Sequence, residues 1–152
     1  MESNSKLAGT INDVIRINND RQDGYQLAAR ETKDNDLKKL FSKFASDSAG
    51  FRDELTKEIM KWGGNPANNT TVSGKIYRAW MEVKKAVTGG DPHSILASCE
   101  FGEDEALKAY DDALKSDDLN SELRELLHRQ RLTIREGHDQ VKQLRDSSKK
   151  TS

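Results

Sequence analysis

Through five separate stretches of this chain, apolar residues return every three or four positions, and helix-stopping residues close each stretch. That spacing puts the apolar side chains on one face of an α-helix and does not match the two-residue alternation of a strand. The first stretch runs from about Lys6 to Thr32, with Leu7, Ile11, Val14, Ile15, Tyr25, Ala28 and Ala29 on one face. Asp34-Asn35-Asp36 supplies a turn and an N-cap for the second, which carries Leu37, Leu40, Phe41, Phe44, Phe51, Leu55, Ile59 and Trp62. Gly63-Gly64, reinforced by Pro66, ends it. After a polar loop over 65–71, a shorter helix holds Val72, Ile76, Ala79, Trp80, Val83 and Val87 and stops at Gly89-Gly90. Asp91-Pro92 starts the fourth, with proline at the first helical position and Leu96, Cys99, Ala106, Leu107, Tyr110 and Leu114 as its stripe. The last turn covers 116–120. The final helix shows Leu123, Leu126, Leu127, Ile134, Val141 and Leu144 before a frayed polar tail over 147–152.

The stripes are thin because the composition allows nothing wider: 34% of the 152 residues are hydrophobic and 34% are charged. The length suits one domain, expected over 1–146, with one narrow core. Basic and acidic residues number 25 and 26 and are mixed along the chain, so no basic tract is available for a row of phosphates and no nucleic-acid partner is expected. No stretch reaches the roughly 18 apolar residues of a membrane span, so no membrane is expected either. No apolar signal core follows the first residues, and Cys99 is the only cysteine. A reducing, cytoplasmic setting is therefore expected.

Short turns join the long helices into two antiparallel hairpins, and roughly 28 residues with their own helix separate the hairpins. Such a connection carries the chain back along the bundle. The expected fold is all-α: a ferritin-like antiparallel four-helix bundle with an extra helix in the long crossover. A plain up-down-up-down bundle with a decorated loop is the alternative.

Polar residues interrupt each long stripe. Asn18 lies between Val14 and Tyr25 with Gln22 beside it, Ser48 between Phe44 and Phe51, Glu103 between Cys99 and Ala106, and Gln130 between Leu127 and Ile134. Counted from the turns, Asn18, Ser48, Glu103 and Gln130 lie within about one and a half helical turns in depth, which predicts a core polar layer. One reading is a hydrogen-bonded layer that sets helix register. The other is a metal site. Glu100, Glu103 and His138 are the candidate ligands, since Glu100 lies on the edge of the helix facing His138. A dimetal site in such a bundle calls for more carboxylates and two Glu-x-x-His pairs, whereas this layer offers one carboxylate, two amides and a hydroxyl. On a non-catalytic reading, Glu103→Gln is expected to preserve or raise stability, because it removes a buried charge and keeps hydrogen bonds.

Other candidates have plainer readings. Glu125-Leu126-Leu127-His128 matches Glu-x-x-His literally, but both ends face away from the stripe. His93 reads as a surface residue and Cys99 as an inert buried thiol. Tyr25 and Tyr110 are expected to plug the core with their hydroxyls on polar partners. Gly24, Gly50, Gly102 and Gly137 place one glycine inside each long helix, as close approach or a local bulge would require. Trp80, Met81 and Phe101 exceed what a four-helix core needs, so they are expected to fix the crossover helix or to mark a dimer contact.

Several runs carry a family resemblance: Ile17-Asn18-Asn19-Asp20-Arg21 leading to Gly24-Tyr25, Phe51-Arg52-Asp53-Glu54-Leu55, Gly63-Gly64 before Pro66, Ser73 to Trp80, Cys99 to Asp104, His138-Asp139 and Leu144-Arg145-Asp146. With them the chain resembles a bacterial family of ferritin-like four-helix-bundle domains of unknown function. The resemblance implies the ferritin-like fold and a bacterial, cytoplasmic setting, and supplies no activity. Relatives in the wider superfamily bind iron or manganese. Of their ligand pattern the chain keeps Glu103, with Glu100, His138 and Glu54 as further matches. The second Glu-x-x-His is missing from the Phe51–Trp62 helix. Enzymatic activity stays open. The first functional expectation is a non-catalytic, stress-associated bundle with no cofactor, acting through self-association (a homo-oligomer) or a protein partner. The alternative is an iron- or manganese-binding oxidoreductase or storage protein.

Overall fold

The computed structural model describes residues 2–71 and 74–148. Val72 and Ser73, expected in the crossover, and residues 149–152 of the expected tail lie outside the described residues. The described residues form five helices: α1 (Glu2–Glu31), α2 (Asn35–Lys61), α3 (Gly74–Gly89), α4 (Pro92–Leu114) and α5 (Ser121–Ser148). The caps are those expected from the sequence. Asp34 accepts from the backbone N–H groups of Asp36 and Leu37 at the start of α2, and Asp91 accepts from Ser94 at the start of α4. Gly63 and Gly90 adopt positive φ just past the ends of α2 and α3, where a side chain would be strained. Ser147 and Ser148 are helical instead of frayed. His93 on α4 reaches the Arg145 carbonyl and the Ser148 hydroxyl there.

Side-chain pairings across the seams fix the direction of each long helix. Between α1 and α4, Asn18 meets Tyr110 and Arg21 meets Glu103, so the two run antiparallel. Between α2 and α5, Gln130 meets Glu54 while Glu122 meets Lys61, again antiparallel. Between α4 and α5, Asp111 meets Arg131 and Asp104 meets His138, also antiparallel, so α2 and α4 both run opposite to α1 and parallel to each other. The up-down-up-down alternative would need α4 to run with α1, and the pairings exclude it.

The crossover climbs along α1. Asn12 donates to the Asn65 carbonyl and accepts from the Ala67 N–H, Arg16 and Asn19 both hold Asn69, and Asp20 accepts from the N–H and the hydroxyl of Thr71. These four residues lie on one polar side of α1 at helical spacing, so a straight helix straps a loop that has no structure of its own. Helix α3 continues the climb over the α1–α4 seam. Its Trp80 is 1% exposed, and its ring fills a slot cut by two glycines. A Cβ at Gly24 would come within 2.6 Å of that ring, and one at Gly102 within 3.0 Å. Close approach thus accounts for Gly24 and Gly102. Gly50 is different: nothing lies within 4 Å of it and it is exposed.

The core falls into two clusters. One holds Leu7, Ile11, Ile15, Leu55, Ile59, Leu123 and Leu127; the other gathers Tyr25, Phe41, Phe44, Trp80, Val83, Leu96 and Val141. Polar side chains lie between them.

Gly24→Ala should overpack the Trp80 slot and lower unfolding free energy by about 1–3 kcal/mol. Gly50→Ala should raise it by about 0.5–1 kcal/mol through helix propensity alone. Urea denaturation midpoints compare the two, and equal effects would show that the slot is not tight.

Candidate functional site

Arg21 is the centre of the polar region, and both it and Glu103 are completely buried. Arg21 Nε donates to Glu103 Oε1 at 2.6 Å and Nη2 donates to Oε2 at 2.8 Å, a two-pronged pair across the α1–α4 seam. Nη1 donates to the Ser48 hydroxyl at 3.0 Å and to the Phe44 carbonyl at 3.2 Å, which ties in α2. The guanidinium carbon lies 5.2 Å from the ring centres of both Tyr25 and Phe44. Helix α5 closes the site with a glycine. A Cβ at Gly137 would approach Glu103 Oε2 to 3.0 Å and Arg21 Nη2 to 3.1 Å.

Burial opposes a charged guanidinium, but the charge and hydrogen bonds of Glu103 more than reverse that, and the Arg21 pKa lies above its ordinary value. Tyr25, also fully buried, has its pKa driven upward by burial and then by the Glu103 charge. Among the described residues its hydroxyl has no hydrogen-bond partner. The Cys99 thiol is likewise pushed up by burial and by Glu103, so it stays protonated and unreactive.

A second, uncharged chain crosses the bundle separately. Asn18 Nδ2 donates to the Val14 carbonyl and to the Tyr110 hydroxyl at 2.8 Å, Tyr110 donates to Gln130 Oε1 at 2.7 Å, and Gln130 Nε2 donates to the Phe51 carbonyl and to Glu54. Asn18, Ser48, Glu103 and Gln130 are all buried. They do not form one cluster: Ser48 and Glu103 belong to Arg21, while Asn18 and Gln130 belong to Tyr110. Gln22 stands outside both, half-buried, accepting from Arg52.

The structure does not gather Glu100, Glu103 and His138. Glu103 turns inward to Arg21. Glu100 and His138 lie on the α4–α5 seam, 3.8 Å apart, where Glu100 accepts from Arg145. The two ring nitrogens of His138 face Asp104 at 2.8 Å and Asp139 at 3.0 Å. His138 lowers the Asp139 pKa by hydrogen bonding. Glu54 accepts from Gln130 and has a side chain 46% exposed. Glu125 and His128 are exposed on α5. Among the described residues, no group of three His, Cys, Asp or Glu side chains is placed to hold a metal ion. The core donor set therefore does not fit an iron or manganese pair: its one carboxylate is already neutralised, and a dication there would face a buried guanidinium.

Arg21 is the residue that sequence reasoning missed, although a signal existed. It stands three residues after Asn18 and four before Tyr25, in the middle of the α1 stripe. A basic residue in one stripe and an acidic one in another can satisfy each other. The buried Asn19 and Asp20 gave no such signal, because Asn69 and Thr71 hold them from a loop.

The expectation that Glu103→Gln is harmless is overturned, since the change would leave Arg21 charged, buried and unpaired. Glu103→Gln should cost about 3–5 kcal/mol, while replacing both partners, as in Arg21→Met with Glu103→Leu, should recover most of that loss. A double-mutant cycle by chemical denaturation reads this directly, and additive single effects would refute the coupling. In native protein Cys99 should resist thiol reagents and react only as fast as the bundle unfolds; rapid modification would contradict its burial.

Residues 6–116 match the family described as a domain of unknown function, DUF2383, and the chain belongs to that family. The matched span takes in α1 to α4, with Arg21, Ser48 and Glu103, and stops before α5. No curated protein matches the chain.

Proposed function

Starting from membership of a family whose activity is undefined, we propose that this chain is a non-catalytic ferritin-like bundle of the cytoplasm that acts through its surface, by self-association or with a protein partner. The parallel run of α2 and α4, linked by a crossover along α1, supports the ferritin-like plan. One observation carries the non-catalytic reading: both oxygens of Glu103, the only carboxylate in the core layer, are taken by a fully buried arginine. A ferritin-like enzyme uses that mid-bundle position for metal-bound chemistry. Here a guanidinium supplies the positive charge, fixed covalently to α1 and closed off from solvent. It can neither exchange ligands nor change oxidation state, so its role is to hold helices together.

Protein prepared without an affinity tag, stripped with chelator and then offered iron(II) or manganese(II) under anaerobic conditions, should retain well below one metal per chain. Retention of about two metals per chain, as a dimetal bundle requires, would overturn this reading.

A further inference from the structure

The outer face of α3 is not used by the fold. Its inward side chains, Ala79, Trp80, Val83 and Val87, are buried, while Lys75, Tyr77, Arg78, Met81, Glu82 and Lys85 are exposed. Tyr77 and Met81 are 38% and 43% exposed, one helical turn apart. Four basic residues against one acidic residue give α3 a charge of +3 in a chain whose net charge is −1. Lys75, Arg78 and Lys85 make no side-chain hydrogen bond or ion pair among the described residues.

The opposite charge gathers elsewhere. Residues 111–125, at the end of α4, the turn and the start of α5, contain six acidic residues against Lys115 and Arg124. Asp111 pairs with Arg131, Asp112 with Lys115 and Glu122 with Lys61. Asp117, Asp118 and Glu125 are exposed and have no cation within ion-pair distance among the described residues. No ion pair joins this acidic turn to α3 within one chain.

We propose that the α3 ridge of one copy docks on the acidic α4–α5 turn of a second copy, with Tyr77 and Met81 as its apolar anchors. The charge pattern selects this partner geometry. Two α3 ridges face to face would bring two basic surfaces of about +2 each together (Lys75, Arg78 and Lys85 against Glu82), whereas ridge against turn brings complementary signs together. The contact joins two different patches, so it either closes reciprocally between two copies or propagates into a ring or an open filament. This inference rests on the self-association reading above and names the surfaces involved.

Sedimentation velocity tests it with two charge-reversed proteins, Lys75→Glu/Arg78→Glu/Lys85→Glu on the ridge and Asp117→Lys/Asp118→Lys/Glu125→Lys on the turn. All six positions are exposed, and circular dichroism checks that the helices remain. The unaltered chain should form larger species at about 20 mM salt and lose them at about 0.5 M, where screening shortens to a few ångströms. Each reversed protein alone should sediment as a monomer, and an equimolar mixture should reassociate, because each then offers the surface that the other lacks. A monomeric unaltered chain, association that survives salt, association of either reversed protein alone, or a mixture that stays monomeric would each overturn the proposal. Binding of an otherwise monomeric chain to phosphatidylglycerol vesicles through the ridge would do so as well, with a lipid surface as the occupant. Metal uptake is read independently, so it would sink the non-catalytic reading without touching this one.

Discussion

The ion pair between Arg21 and Glu103 is the interaction around which the bundle is arranged. Removing two charges from water costs several kcal/mol each, and only near-complete pairing offsets that. The geometry is nearly complete: two short bonds to the carboxylate, a hydroxyl and a carbonyl for two of the three remaining N–H groups, and two aromatic rings beside the guanidinium. Three helices supply those groups, and the fourth supplies a glycine that leaves room for them. A slip of one residue along any seam would break the set. A uniform apolar stripe, by contrast, tolerates sliding.

The crossover obeys a second constraint of the same kind. It must return the chain along the bundle without a sheet or disulfide to guide it, and α1 guides it with polar side chains at helical spacing. Trp80 then anchors α3 through volume instead of charge, in the gap left by Gly24 and Gly102. Among the described residues, its indole N–H and the Tyr25 hydroxyl have no hydrogen-bond partners. Tight aromatic packing, with ring centres 5.4 Å apart, comes with two unmet polar groups in this region.

These features bear on chemistry. The central carboxylate is clamped by arginine, so both of its oxygens are engaged in an internal salt bridge. The seam residues Glu100, Asp104 and His138 are engaged too, with Arg145 and with one another. The side-chain charges without an ion-pair partner in the α3 ridge and the acidic turn lie, among the described residues, on the exterior.

Five helices, the caps of α2 and α4 and the burial of Asn18, Ser48, Glu103 and Gln130 can be derived from the sequence alone, whereas the first turn of α1 and the end of α5 could not. The derivable features depend on local spacing and on turn chemistry, which a single strand of residues carries by itself. The grouping of those polar residues could not be so derived. A helical wheel assigns an angle and a depth, but Arg21 reaches Glu103 and Ser48 across three helices because its side chain is long and the glycine on α5 lets it lie flat. Likewise, Gly24 and Gly102 were legible as close-approach sites, but Trp80 as their common occupant was not. The sequence by itself determined which faces are buried; tertiary structure decided which buried groups meet, because partner choice depends on the offset between helices, and no local pattern encodes that offset.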